Sequence, residues 1–399
     1  MKPIKSCAAV LCLLALLLSF LPVMGCMPAP APAVPDNGTM EVTYAGVKDY
    51  GTVKAEDKDN FIYRFYQGDT EYLFRIDNAA ADPITGEPYA LQNKLKRGYP
   101  YRITVKDGVV TAVEPLPADE DMDLTTPITA VPGEKTVKNL LATALLPVGR
   151  TLYIYGGGWN WQDDGASPEA RTIGLSASWV SFFNNQTMHF TYRAQDPATS
   201  YYPYGKWNEY YSAGLDCSGY VGWMLYNVMH TESGKAGYVM GANKMAKTFA
   251  EYGWGSWLRD EITPGDGQLL PGDIISKPGH VWVCIGTCDD GSVVFAHSSP
   301  TDSYLGRPGG GVQLSALGAD KNCEAYALAE RYMKQYYPEW ASRYPVALKD
   351  FDEYTAFAGN SVLGRFTWDT CSNGELADPD SIRDLSAAQV LALLYGEAN

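Results

Sequence analysis

Gly214-Leu215-Asp216-Cys217-Ser218-Gly219-Tyr220-Val221 places a cysteine directly after a turn, at the start of an apolar helix. Tyr220, Val221, Met224, Leu225 and Val228 recur at helical spacing over 217–230 and give that helix a buried stripe. The positive end of a helix dipole favours thiolate over thiol, so the position suits a sulfur nucleophile. A thiol needs a base near neutral pH, and the base needs a group that orients it. The chain has four histidines. Two of them, His280 in Gly279-His280-Val281 and His297 in Phe295-Ala296-His297, stand on strand-like runs after the cysteine. His189 and His230 lie outside these motifs and read as surface or structural residues.

The neighbouring segments set the fold class. Residues 137–146 form an apolar helix, 151–158 a strand or extended turn, and 242–252 a further helix. Strand-like runs follow at 269–275, 280–285, 293–297 and 312–314. Helices first and antiparallel-looking strands afterwards predict an α+β domain over 136–316, its helices packed on a sheet. An aromatic-rich insertion at 159–213, with Trp159-Asn160-Trp161 and Tyr201-Tyr202-Pro203-Tyr204, is expected to cap or wall the cleft. Upstream, residues 40–116 carry short β-branched and aromatic runs split by turn signals such as Lys106-Asp107-Gly108. They predict a small all-β domain, a barrel of the SH3 or oligonucleotide-binding type. Residues 117–135 are an acidic, proline-flanked linker. Its run at 118–123 lacks the glycine turn and closing glutamate of a calcium loop, so it reads as a solvated connector. The tail, 317–399, is expected to be a helical extension docked on the core, with helices at 323–343 and 386–395.

The ends and the composition bound the location. Lys2, Lys5 and an apolar run over 8–21 make residues 1–25 an export signal, and the Pro/Ala-rich stretch 26–39 an extended tether. The net charge of −15 excludes a basic face for nucleic acid or anionic lipid. There is no glycine-rich phosphate loop and no metal-ligand cluster of convincing spacing, so neither a cofactor nor a metal is expected. Of eight cysteines, Cys7 and Cys12 leave with the signal. With Cys217 as a free thiol, Cys284, Cys288, Cys323 and Cys371 are open to two bridges in any of three pairings.

Two resemblances add to these readings. Val23-Met24-Gly25-Cys26 resembles the lipobox of bacterial lipoproteins, which implies lipid attachment at Cys26 and anchoring on the outer face of the cytoplasmic membrane or in the periplasm. Asp216-Cys217-Ser218-Gly219, Leu270-Pro271-Gly272-Asp273, Gly279-His280-Val281 and Phe295-Ala296-His297-Ser298 resemble, in order, the motifs of the NlpC/p60 family. Tyr153-Ile154-Tyr155-Gly156-Gly157 is similar to that family's tyrosine segment. The likeness covers about 137–314 and does not reach the β-rich region. It implies a papain-like cysteine peptidase acting on peptidoglycan stem peptides, most often at a γ-D-glutamyl–diaminopimelate bond. Cys217 would be the nucleophile, His280 the base and His297 its orienting partner. Tyr153 would contact the oxyanion, while Asp216 and Ser218 would line the substrate pocket. Two rivals stand beside it: an amidase or acyltransferase using the same Cys-His-His set, and a wall-binding or scaffolding lipoprotein with an occluded site.

Overall fold

The computed structural model describes residues 35–48, 62–68, 70–77, 95, 100–116, 124–159, 165–167, 169–184, 213–229, 237–301, 309–357 and 362–397. The expected export signal, Cys26, most of the expected tether, the acidic run at 118–123, most of the insertion, His189 and His230 lie outside the described residues. Within them the protein is mixed α+β, with two sheets.

The first sheet is a closed barrel of β1 (Gly38–Lys48), β2 (Ile62–Gln67), β3 (Thr70–Ile76), β4 (Pro100–Lys106) and β5 (Val109–Pro115), in the order β1-β2-β3-β5-β4. Only the inner face of these strands is dry, so the sequence alternates. In β4, Tyr101, Ile103 and Val105 point inward to meet Val42, Tyr44, Tyr63, Phe65 and Phe74. Asp107 and Gly108 both take positive φ (49° and 73°), which closes the β4–β5 hairpin with a two-residue turn matched to strand twist.

The second sheet is built differently. It follows the helices α1 (Val137–Leu145), α2 (Ala177–Asn184), α3 (Cys217–Met229) and α4 (Met245–Glu251). Its strands are β6 (Gly255–Leu258), β7 (Ile274–Lys277), β8 (His280–Thr287), β9 (Val293–Thr301), β10 (Gly309–Leu317), β11 (Leu348–Lys349) and β12 (Gly364–Trp368). They run in the order β11-β10-β9-β8-β7-β12-β6. Val281, Val283, Ile285, Val294 and Ala296 face one core; Ile275, Trp282, Cys284 and Phe295 face another. Burial on both sides explains why these strands read as continuous apolar runs. On the first face α3 packs against β8 and β9, and α5 (Glu324–Tyr336) against β10.

Three expectations need correction. The tail is not purely helical: besides α5, α6 (Pro338–Arg343), α7 (Phe351–Thr355) and α8 (Ala387–Leu394), it supplies β11 and β12. β12 sits inside the sheet, between β7 and β6. Its reading was obscured by Arg365, a charge that strands rarely bury. Asp273 solves that problem, because its fully buried carboxylate holds Arg365 at 3.2 Å and Arg383 at 3.0 Å. The run 269–275 is a strand only from Ile274, since Leu270-Pro271-Gly272-Asp273 forms a turn with Gly272 at φ 89°. The helix expected over 323–343 breaks at Tyr337, the residue before Pro338, whose φ and ψ (−134°, 55°) leave the helical region.

Candidate active site

Residues 152–158 make no strand. They join the sheet and the loop before Cys217 through single bridges, Leu152 to Gly311 and Tyr153 to Leu215. The glycines explain how close this approach is. A Cβ on Gly219 would meet the Gly157 carbonyl oxygen at 2.0 Å, and one on Gly158 would meet the Gly219 Cα at 2.6 Å. The backbone of 157–158 therefore rests directly on the first turn of α3. From the other side, Ser298 on β9 donates its hydroxyl to the Leu215 carbonyl at 2.6 Å. The nucleophile's approach is thus clamped on two sides.

Asp216 caps α3. Its Oδ1 accepts the Gly219 N–H at 2.7 Å and the Ser218 hydroxyl at 2.9 Å, while Ser218 Oγ accepts the Trp159 indole N–H at 2.9 Å. The side chains of Asp216 and Ser218, expected to line a pocket, are buried and satisfied within the protein. Burial raises the Asp216 carboxyl from 3.8 to about 6. Cys217 itself is a free thiol, 7% exposed. Burial and the neighbouring Asp216 push the thiol up, outweighing the helix dipole that favours thiolate. The backbone N–H of Val281, the residue after His280, is directed at the sulfur.

His280 opens β8, and His297 lies fully buried on β9. His280 Nε2 and His297 Nδ1 are 2.8 Å apart, with the rings edge to face. That contact occupies His280 Nε2 and leaves its Nδ1 uncommitted. Burial, with Lys277 and Lys349 nearby, pulls His280 down to about 3 and His297 well below its ordinary value. These directions favour a thiol and neutral imidazoles over an ion pair. Tyr153 is half-buried, anchored by its backbone N–H to the Gly310 carbonyl at 2.7 Å, whereas Tyr155 is 52% exposed.

One wall of the site comes from residues that the sequence reading passed over. Asp350 caps α7 by accepting the Glu353 N–H at 2.8 Å, and this helix brings Tyr354 beside His280, with ring centroids 5.9 Å apart. Lys277 stands 4.2 Å over the Tyr354 ring and pairs with Glu353 at 3.0 Å; Lys349 lies 5.8 Å from the same ring. The signal was present in Asp350-Phe351-Asp352-Glu353, a cap followed by an acidic first turn.

Among the described residues, Cys284, Cys288, Cys323 and Cys371 are also free thiols. Cys284 is buried on the sheet face opposite α3. Among the described residues, Cys288, Asp290 and Glu324 form the one group of metal-ligand type. Their carboxylates are used as caps: Asp290 accepts the Glu324 N–H at 2.8 Å, and Glu324 accepts the Asp289 N–H at 3.0 Å. No family model, curated protein or solved structure matches the chain.

Proposed function

We propose that this protein is an exported cysteine peptidase of the NlpC/p60 kind, with a papain-like catalytic domain that hydrolyses peptidoglycan stem peptides. The observation that carries this reading is the 2.8 Å contact between His280 Nε2 and His297 Nδ1, beside a free thiol at a helix start. That contact leaves one imidazole nitrogen for the sulfur and fixes the ring through the other. In the reaction, Cys217 Sγ attacks the amide carbonyl as His280 Nδ1 takes its proton. Because burial disfavours both charged forms, this proton transfer accompanies the attack rather than preceding it. His280 then protonates the leaving amine, the C–N bond breaks, and water hydrolyses the thioester with His280 again as base. The Cys217 backbone N–H, at the positive end of α3, and Tyr153 are the candidate oxyanion donors.

The motif resemblance points to a bond after γ-D-glutamate, with diaminopimelate on the leaving side. The leader and Cys26 suit lipid anchoring outside the cytoplasm. The low exposure of Cys217, and the internal use of Asp216 and Ser218, favour one further reading: a wall-binding lipoprotein whose site stays closed. Digestion of defined muropeptides by wild type and Cys217→Ala decides between them. Peptidase action predicts cleavage by wild type and a loss of at least about a thousandfold in the variant. Equal cleavage would overturn the mechanism. No cleavage, together with no labelling of Cys217 by a thiol probe, would favour the closed-site reading.

A further inference from the structure

A chain of buried polar groups leads away from His297 into the protein, and the proposed reaction does not use it. His297 Nε2 lies 3.0 Å from Ser315 Oγ, Ser315 Oγ lies 3.4 Å from Gln313 Nε2, and Gln313 Oε1 lies 3.2 Å from Trp340 Nε1. Ser315 and Gln313 are two apart on β10 and share a face. Trp340 comes from α6, in the tail beyond the motif-bearing region. None of the four side chains is more than 1% exposed.

The direction of these bonds is fixed at the far end. An indole N–H can only donate, so the Gln313 amide presents its oxygen to Trp340 and its NH₂ to Ser315. The Ser315 oxygen therefore accepts from Gln313. Its own proton has one partner among the described residues, His297 Nε2. The reverse arrangement, with Ser315 accepting from His297 as well, leaves a buried hydroxyl proton without an acceptor. With Nε2 accepting, His297 carries its proton on Nδ1 and donates it to His280 Nε2, so the His280 proton sits on Nδ1. Every bond then points the same way, toward His280, and such chains reinforce one another.

We infer that Trp340, Gln313 and Ser315 are positioning residues that set the tautomers of the histidine pair and hold the resting site latent, with a proton on the nitrogen that has to accept one. The attacking form is the mirror arrangement: His280 Nδ1 bare, its Nε2–H donated to His297, and His297 Nε2–H donated to Ser315. Both forms hold the same number of protons. They differ in which nitrogen of each ring is protonated and in where the Ser315 hydroxyl points. This inference deepens the peptidase reading and rests on it for its meaning, but its test needs no turnover.

Four histidines in the full chain make the measurement tractable. Long-range ¹H–¹⁵N spectra of ¹⁵N-histidine protein report each ring's tautomer, with His189→Gln and His230→Gln removing the other two signals. The expected result is His297 as the Nδ1–H form. In Gln313→Glu the carboxylate accepts from both Trp340 and the Ser315 hydroxyl, which turns Ser315 round. His297 should then switch to the Nε2–H form, and alkylation of Cys217, followed by peptide mass analysis, should quicken on the order of tenfold as a free base becomes available. If Gln313→Glu does not fold, Trp340→Phe frees the amide to turn its oxygen to Ser315 and is read by the same two signals. Wild-type His297 found as the Nε2–H form overturns the inference, as do unchanged tautomers in the variant. A tautomer switch with no muropeptide cleavage by any form would instead sink the peptidase reading and leave the relay standing.

Discussion

The wall of the site built from residues 152–159 and 213–219 is held largely by backbone resting on backbone, with glycine at its closest contacts. The other wall, drawn from 340–357 and 362–383, is held by charged and aromatic side chains meeting partners far away in the chain. The first wall fails if anything is added to it, and the second fails if anything is taken away. Asp273 belongs to the second type although it lies in a motif beside the first, because its carboxylate is what Arg365 and Arg383 share.

The largest effect is expected where a charge loses its partner. Asp273→Ala leaves two arginines buried without a counter-ion and should destabilise the protein by about 3–5 kcal/mol in urea unfolding, the range for breaking a buried pair. An unchanged midpoint would mean the two walls are not held differently. Next comes the crowded wall. Gly219→Ala puts a methyl against the Gly157 carbonyl and should lose about 1–3 kcal/mol, with activity falling further than stability because the strain enters at the nucleophile's own turn.

A smaller effect follows from Asp216, which raises the Cys217 thiol. Asp216→Asn keeps an acceptor for the Gly219 N–H but removes the charge, so Cys217 should alkylate faster at fixed pH. The same variant tests a stability slope. Folding raises the Asp216 carboxyl from 3.8 to about 6, so its contribution is full below about pH 4 and is lost as pH rises through 6. Thermal melts should show the wild type declining over that window relative to the variant. The smallest expected change is at Lys349, whose charge helps lower His280. Lys349→Met should move the His280 titration upward in NMR, and a downward move would contradict the placement of that ammonium.

The sequence made the first wall legible because its parts are contiguous. The cap, the cysteine and the glycine at 216–219 are spelled in four letters, and Gly156-Gly157-Gly158 announces a close approach. The barrel was legible for a related reason: one buried face leaves a period of two, and Asp107-Gly108 marks the hairpin. The second wall was not. β12 carries an arginine where a strand should be apolar, and its counter-charge lies ninety-odd positions upstream. Gln313, Ser315 and Trp340 looked like ordinary strand and helix residues, since only their meeting in space gives them a role. Burial of Cys217 was likewise unreadable, and it reversed the expected effect of the helix dipole.

β12 threads between β7 and β6. Until it arrives, β7 is an open edge and β6 has nothing to pair with, although both are synthesised well before it. A chain that emerges from its N-terminus onward cannot complete this sheet segment by segment; it must wait for its nearly last strand. Cutting the protein after β10, where its motifs end, would therefore leave an unfinished sheet with a sticky margin, prone to self-association rather than to independent folding.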